Sequence, residues 1–252
     1  MNILVLIAHP DDETILTGGA AALLARAGAD VHYLCATRGE GGEVGEPALC
    51  TQGELGQVRE KEMRCAVQAL GGKSTSFLEY IDPMIGENDA LYPYTNDLDE
   101  LTRRVIEHIG QIGPNAIITH GSSGEYGHPA HVLTHRAAVG AVENHGDAAP
   151  MLYTFNANFL GHPRARHLNA DDPAHIVLDI TPAFEQKINA ALCHRSQSAL
   201  FVRRSSIRAG RPMTIPEVLV KVEGLHRRYP QVNGQPDDEI IELLKPWMKK
   251  NV

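Results

Sequence analysis

Long apolar runs and basic clusters are both missing from this sequence. The apolar stretch in MNILVLIAHP is short and has no basic residues before it, so we expect no signal peptide. No later run reaches the roughly 18 apolar residues that a membrane span needs. The net charge is −8. Nucleic acid and anionic membranes are therefore not expected as partners.

Aromatic residues and cysteines are also scarce. Aromatics make up only 5% of the chain while apolar residues make up 43%, so the predicted core consists mainly of Ala, Leu, Ile and Val. Cys35, Cys50, Cys65 and Cys193 form no C-x-x-C pair. We interpret them as small core residues with reduced thiols. Together these features predict a cytoplasmic protein.

Short apolar runs alternate with amphipathic segments along the chain. Strands are predicted at NILVLIA, VHYLCAT, STSFLEY, NAIITH, MLYTFNA and HIVLDI. This alternation predicts an α/β fold, a doubly wound and mostly parallel Rossmann-like sheet with helices on both faces. We expect residues 1–200 to form the catalytic domain. Residues 201–252 are expected to form a C-terminal extension packed on the same domain, with helical pieces at PEVLVKVEGLHRRY and EIIELLKPWMKK.

One histidine and three consecutive acids follow the first predicted strand, in AHPDDET. In doubly wound folds, functional groups collect at the carboxyl ends of the strands. Three neighbouring carboxylates repel one another, which indicates that a cation belongs there. Because Asp11 and Asp12 are adjacent, their side chains must point in different directions, so one can bind a metal while the other reaches a bound water. Glu13 is interpreted as a helix-capping or supporting residue.

A second histidine-rich stretch, EYGHPAH, follows the fourth predicted strand. His128 and His131 are three residues apart at a predicted helix start and project to one side. Catalytic zinc sites combine imidazole and carboxylate ligands and leave one position open for water. His9, Asp12 and His131 would form such a set, and we therefore expect His9 and His131 to lie close together.

Two other histidines in this region have alternative interpretations. His131 and His135 are four residues apart and would place a metal farther along the helix. We favour the pair of His128 and His131, because it lies nearer the strand ends, and we interpret His135 as a packing or surface residue. His120 ends NAIITH and is interpreted as a residue that supports the site.

The motifs AHPDDE, GEYGHPAH and KINAALCHRSQ occur in an order that resembles the zinc-dependent de-N-acetylases. That LmbE-like family includes N-acetylglucosaminyl-phosphatidylinositol de-N-acetylase and bacterial deacetylases of N-acetylglucosamine (GlcNAc) conjugates in mycothiol and bacillithiol synthesis. The resemblance covers about residues 1–200. It implies a metal-dependent hydrolase.

The resemblance also implies roles for single residues. Asp11 would be the general base for the attacking water, His128 would stabilise the oxyanion or protonate the leaving amine, and Tyr126 would contact the oxyanion. The implied metal ligands are His9, Asp12 and His131. The implied substrate-binding residues are Arg59, Asp82 and His194. One Zn²⁺ per chain is expected, with Fe²⁺ as an alternative in the cell.

The predicted activity is removal of an N-acetyl group from a small molecule that contains GlcNAc. An amidase acting on a thiol conjugate of a related sugar and a non-catalytic metal- or sugar-binding protein are the alternatives. A nucleotide-binding Rossmann domain is disfavoured because the glycine-rich loop RGEGGEVGE is acidic and follows the second strand, not the first. We interpret that loop as a rim or lid over the site. By resemblance, the chain is expected to form a trimer or hexamer.

Overall fold

The computed structural model describes residues 1–164 and 167–249. Its strands are β1 (Asn2–Ile7), β2 (Asp30–Thr37), β3 (Ser74–Tyr80), β4 (Ala116–Thr119), β5 (Met151–Phe155), β6 (Ala157–Asn158), β7 (Asn169–Pro173), β8 (Ile176–Asp179) and β9 (Val222–Tyr229). The central sheet has seven strands in the order β3-β2-β1-β4-β5-β9-β8, and β6 pairs with β7 separately. The six predicted strands are confirmed as β1 to β5 and β8.

Helices cover both faces of this sheet. They are α1 (Asp12–Ile15), α2 (Gly18–Arg26), α3 (Leu55–Ala69), α4 (Leu98–Ile112), α5 (Gly124–Gly127), α6 (Pro129–Asn144), α7 (Phe184–Cys193), α8 (Ser198–Ala209), α9 (Ile215–Val218) and α10 (Glu239–Leu244). Alternate residues of a strand point to opposite faces, so Ile3 and Val5 pack with α2, α3 and α7. Leu4 and Leu6 pack with α4 and α6 on the other face. The predicted doubly wound α/β fold is confirmed.

Strands β1 to β5 are parallel, whereas β9 runs antiparallel to both of its neighbours, β5 and β8. The helix predicted over PEVLVKVEGLHRRY is wrong for its second half, because α9 ends at Val218 and β9 follows. The edge of β5 offers unpaired backbone groups, and pairing with β9 satisfies them. The predicted C-terminal extension thus supplies a strand of the central sheet, while the boundary at residue 200 stays a prediction.

The helical segment that follows the AHPDDET motif is divided into α1 and α2 at residues 16–17. Two buried side chains, Glu223 and Lys187, stabilise the break between α1 and α2. The carboxylate of Glu223, on β9, accepts the N–H groups of Gly19 and Ala20 at 2.9 and 2.7 Å. Lys187, on α7, donates to Ile15 O and to Glu223. The end of α1 and the start of α2 are therefore held by residues from the C-terminal part of the chain.

Cys65 and Cys193 form a disulfide that joins α3 to the end of α7, with 5.8 Å between their Cα atoms. The prediction of four reduced thiols is therefore wrong for these two. They lie 128 residues apart in sequence, so no local spacing indicates the pair. Cys35 is buried and Cys50 is half-buried, and both are free. Because disulfides are typical of oxidising compartments, the thiols no longer support the cytoplasmic prediction.

Within the part of the chain that the structure describes, no helix combines the length and the apolar character that crossing a bilayer requires.

Candidate metal centre at the carboxyl edge of the sheet

The candidate site lies where β1, β3 and β4 end. His9 and Asp12 follow β1, Asp82 follows β3, and His120 follows β4. Strand β1 lies between β2 and β4, so the strand order reverses at this point. Ligand sites of doubly wound folds occur at such a reversal, because the two flanking loops diverge and leave a crevice. The sheet topology thus brings together residues more than a hundred positions apart.

The predicted metal-binding residues converge in this crevice. The rings of His9 and His131 lie 5.3 Å apart. Asp12 stands between them, with Oδ2 at 3.4 Å from His9 Nδ1 and Oδ1 at 3.5 Å from His131 Nε2. The donor atoms of His9, His128 and His131 lie within 4.8 Å of one another, and so do those of Asp12, His120 and His131. Hydrogen bonds distinguish among these candidates.

His131 has a ring nitrogen suited to a metal. Its Nδ1 donates to Glu125 Oε2 at 2.6 Å, which leaves Nε2 with a lone pair. That Nε2 is buried and has no hydrogen-bond partner in the described chain. Buried polar groups without a partner are rare and costly. A cation between Nε2 and Asp12 would satisfy both groups, so the residues present fit a metal.

His120 is a poor candidate for a ligand although it lies beside Asp12. Its Nε2 accepts the N–H of Ala8 at 3.0 Å, and its Nδ1 donates to Glu125 Oε2 at 2.9 Å. Both ring nitrogens are therefore occupied by protein partners. Through these bonds His120 fixes the backbone immediately before His9, in agreement with its predicted supporting position.

Glu125 was not predicted by the sequence analysis, and it orients both of these histidines. It is 2% exposed, and its Oε1 accepts the N–H of Gly121 at 2.9 Å and the amide of Asn169 at 3.2 Å. A carboxylate that accepts the second N–H of a metal-binding histidine fixes the ring and its tautomer. The motif GEYGHPAH contains Glu125, but its burial cannot be read from that motif.

His128 holds a different tautomer from His131. Its Nδ1 accepts the N–H of Ala130 at 3.2 Å, as the N-cap of α6, so its neutral ring carries the proton on Nε2. Burial, together with the neighbouring His131 and His9, lowers the pKa of His128 to about 3. The ring is therefore a neutral donor at neutral pH and not an acid that has a proton to release.

Tyr126 lies at the mouth of the site, and 51% of its surface is exposed. Its ring meets the edges of His128 and His131 at centroid distances of 5.7 and 5.6 Å. Partial burial and the charges of Asp12 and Asp11 raise the pKa of Tyr126. The hydroxyl therefore keeps its proton and can donate a hydrogen bond.

Asp11 and Asp12 point in different directions, as predicted. Asp12 faces His131, whereas Asp11 Oδ2 lies 3.2 Å from Arg59 Nη2. Burial raises the pKa of Asp11 to about 7. The positive charge of Arg59 acts to lower that pKa, but the negative charge of Asp12 offsets part of this effect. Burial would also raise the pKa of Asp12, but His131 and other neighbouring histidines hold it well below its usual range.

Asp82 and Arg59, two of the residues predicted to bind substrate, differ in how far they are exposed. Asp82 Oδ1 lies 3.3 Å from His9 Nε2, and its side chain is 12% exposed. Burial disfavours the charged ring of His9, but Asp82 and then Asp12 outweigh it and raise the pKa of His9 to about 10. The position between these carboxylates therefore favours a positive charge, which a bound cation would supply in place of the ring proton. Arg59 is 4% exposed and donates to Gly39 O at 3.0 Å and to Pro10 O. Arg59 therefore braces the turn that carries Asp11.

His194 does not fit its predicted contact with substrate. Its ring is completely buried, and Nε2 lies 2.7 Å from Glu13 Oε1. A substrate cannot touch a ring that exposes no surface. His135 is also buried, with Nδ1 bonded to His120 O at 2.9 Å, in agreement with its interpretation as a packing residue.

The glycine-rich loop that follows β2 forms one wall beside Arg59. Polar contacts join this loop to the region around α8. Gln197 donates to Glu43 O at 2.7 Å, and Arg203 pairs with the Glu43 carboxylate at 2.6 Å. Glu40 accepts the N–H of Asp82 at 3.0 Å. These contacts agree with the interpretation of the loop as a rim.

The fold and this cluster define an α/β protein with a candidate histidine–carboxylate metal centre at the carboxyl edge of its sheet. The comparison with known sequences is consistent with that class. The chain belongs to the GlcNAc-PI de-N-acetylase family (PIG-L), whose family model matches residues 4–142. The resemblance indicated by the sequence motifs is confirmed.

Two relatives are deacetylases of GlcNAc joined to inositol. The 1D-myo-inositol 2-acetamido-2-deoxy-alpha-D-glucopyranoside deacetylase of Rhodococcus erythropolis is 41% identical in an alignment 161 residues long, which covers 59% of this chain and 55% of that relative. The match therefore spans about half of the relative's length. The enzyme of the same name from Mycolicibacterium smegmatis is 30% identical over 231 residues, 78% of this chain and 80% of the relative.

Solved structures share the fold. N,N'-diacetylchitobiose deacetylase from Pyrococcus horikoshii matches with a TM-score of 0.62 and 20% identity, over 89% of this chain and 82% of that chain. GalB, a 4-carboxy-2-hydroxymuconate hydratase from Pseudomonas putida, also has a TM-score of 0.62, with 24% identity over 94% and 99% of the two chains. A deacetylase and a hydratase thus share this fold, so the fold does not decide the reaction.

Proposed function

We propose that this chain is a metal-dependent hydrolase that removes the N-acetyl group from a small molecule containing GlcNAc. The observation that carries this proposal is the buried Nε2 of His131, which faces Asp12 and offers its lone pair to the crevice. Family membership and the names of the two relatives support the same reaction. GlcNAc linked to inositol or to a similar polar alcohol is the proposed substrate class.

His9, Asp12 and His131 are the proposed ligands, and Zn²⁺ is the proposed metal. Two imidazoles and a carboxylate suit a catalytic zinc with an open coordination position, and Fe²⁺ is the alternative because its ligand preferences overlap. A bound divalent cation polarises the amide carbonyl and lowers the pKa of water from about 15.7 to roughly 7. The remaining steps depend on side chains of this chain.

Asp11 is the proposed general base, which takes a proton from the attacking water onto a carboxylate oxygen. A pKa raised by burial to about 7 suits a group that must take up and release a proton near neutral pH. The protonated carboxyl group would then deliver the proton to the leaving amine. We assign that delivery to Asp11 because His128 is neutral, with a pKa of about 3.

His128 and Tyr126 are the proposed donors to the oxyanion that forms on the acetyl carbonyl. The Ala130 N–H holds Nδ1 of His128, which leaves its Nε2–H to donate. The Tyr126 hydroxyl stands at the mouth of the site beside this ring and would add a second hydrogen bond. In other enzymes, removal of one such donor lowers kcat by about 10²–10³-fold.

Asp82 and Arg59 are the proposed substrate contacts. Asp82 is partly exposed beside His9 and can accept hydrogen bonds from sugar hydroxyls. Arg59 lies behind Asp11, is only 4% exposed, and donates to the carbonyls of Gly39 and Pro10. Its contribution to substrate binding is therefore expected to be smaller than that of Asp82. Cytoplasmic localisation and a trimer or hexamer stay predictions.

The test combines metal analysis with a screen for acetate release. The purified protein would be assayed on GlcNAc, GlcNAc-inositol and GlcNAc-malate, with a chelator control and re-addition of Zn²⁺ or Fe²⁺. We expect about one metal per chain and acetate release that the chelator abolishes. A fragment of a thiol conjugate instead of acetate would favour the amidase alternative. Metal and sugar binding without any product would favour the non-catalytic alternative.

A further inference from the structure

Glu13 and His194 form a buried polar pair directly behind Asp11. Both side chains are 0% exposed. Glu13 Oε1 accepts hydrogen bonds from His194 Nε2 at 2.7 Å and from the Thr14 hydroxyl at 2.5 Å. Its other oxygen, Oε2, accepts the backbone N–H of Asp11 at 2.9 Å. The pair therefore connects the end of α7 to the backbone of Asp11.

The backbone of Asp11 has a conformation that residues other than glycine rarely adopt, with φ at 107° and ψ at −26°. Such a conformation persists only where surrounding contacts enforce it. Asp11 occupies the N-cap position of α1, where an aspartate usually turns its carboxylate back to the helix N–H groups. Here that carboxylate lies 3.2 Å from Arg59 instead.

We infer that Glu13, fixed by His194, is the positioning residue of Asp11. By holding the Asp11 N–H, Glu13 keeps the backbone at positive φ and directs the carboxylate into the crevice and not onto the helix end. This inference rests on the proposed function only where it names Asp11 as the general base. In this interpretation His194 fixes the position of Glu13, a role that a completely buried ring can fulfil.

The first test compares Glu13→Gln with Glu62→Gln. Glu62 is a matched control, because it is also a buried carboxylate of this region and bonds the N–H and hydroxyl of Ser196 at 2.8 and 2.6 Å. Both substitutions are expected to lower thermal stability. Only Glu13→Gln is expected to lower kcat, by about 10–100-fold, with KM and metal content unchanged. Equal kcat losses in both variants would overturn the inference.

A double-mutant cycle separates positioning from a general structural effect. In an Asp11→Asn background, Glu13→Gln should cause no further loss of kcat, because the group it positions is already disabled. Losses that multiply would show that Glu13 acts independently of Asp11 and would overturn the inference. His194→Gln should reproduce the kcat loss, and it serves as the second variant if Glu13→Gln does not fold.

Crystal structures of the parent protein and of Glu13→Gln, both without substrate, test the position of Asp11 independently of the proposed function. In metal-loaded Glu13→Gln, we expect Asp11 to leave positive φ and its carboxylate to move from Arg59 toward the N-terminus of α1. An unchanged Asp11 would overturn the inference. If the parent protein releases no acetate from any GlcNAc conjugate, the proposed function is wrong. The crystallographic comparison alone then decides whether Glu13 positions Asp11.

Discussion

The buried ion pair of Lys187 and Glu223 gives a quantitative prediction about how the C-terminal strand supports the site. Lys187 exposes 0% and Glu223 3% of their side chains, and the Glu223 carboxylate also holds two N–H groups at the start of α2. Removing one partner of a buried pair leaves an uncompensated charge and costs about 3–5 kcal/mol. Burial already lowers the pKa of Lys187, although Glu223 opposes this.

The perturbation is Glu223→Ala, and urea unfolding followed by circular dichroism is the assay. We expect a loss of about 3–5 kcal/mol, a large share of the ~5–15 kcal/mol by which domains are usually stable. The corresponding fall in Tm is about 6–20 °C. The control is Asp30→Ala at the surface pair with Lys73, where the side chains are 49% and 58% exposed. Such exposed pairs contribute about 1 kcal/mol or less.

Two results would refute this reasoning. One is a loss in Glu223→Ala no larger than that in Asp30→Ala. The other is a double variant, Lys187→Met with Glu223→Leu, that is less stable than Glu223→Ala alone. Replacing both charges by apolar groups removes the uncompensated ammonium, so the double variant should be the more stable of the two.

Three further predictions concern the candidate metal centre. Asp11→Asn should keep the metal and lose about 10²–10⁴-fold in kcat; acetate release at the parental rate would contradict its assignment as base. His131→Ala should lose the metal in elemental analysis, and full occupancy would remove His131 from the ligand set. Glu125→Gln should weaken metal affinity by about 10–100-fold in chelator competition, because Glu125 accepts the Nδ1–H of His131; unchanged affinity would exclude that role.

Local patterns were sufficient to predict the sheet and the centre of the site. The apolar run of β1 followed by AHPDDET predicted functional groups at a strand end, and the His-x-x-His spacing predicted the second wall. In the structure Asp12 lies beside both His9 and His131, as expected. This succeeded because strand ends and helix starts fix the direction of nearby side chains over a few residues.

Contacts between distant segments could not be predicted in this way. The chain alone did not indicate that Glu125 orients His131, that His194 is buried against Glu13, or that Cys65 meets Cys193. The apolar and polar pattern around Glu223 was consistent with a helix as well as a strand, and the pairing of β9 with β5 and β8 decided between them.

The sequence by itself determined the doubly wound fold and the strand ends near which the candidate site residues lie. Only the tertiary structure decided which of them expose a lone pair to the crevice and which are committed to other protein groups. The physical reason is that hydrogen-bonding capacity belongs to single side chains, whereas its use depends on burial and on partners brought close by packing. His120 and His131 illustrate this, because they bond the same carboxylate, yet only His131 keeps a ring nitrogen available for a metal.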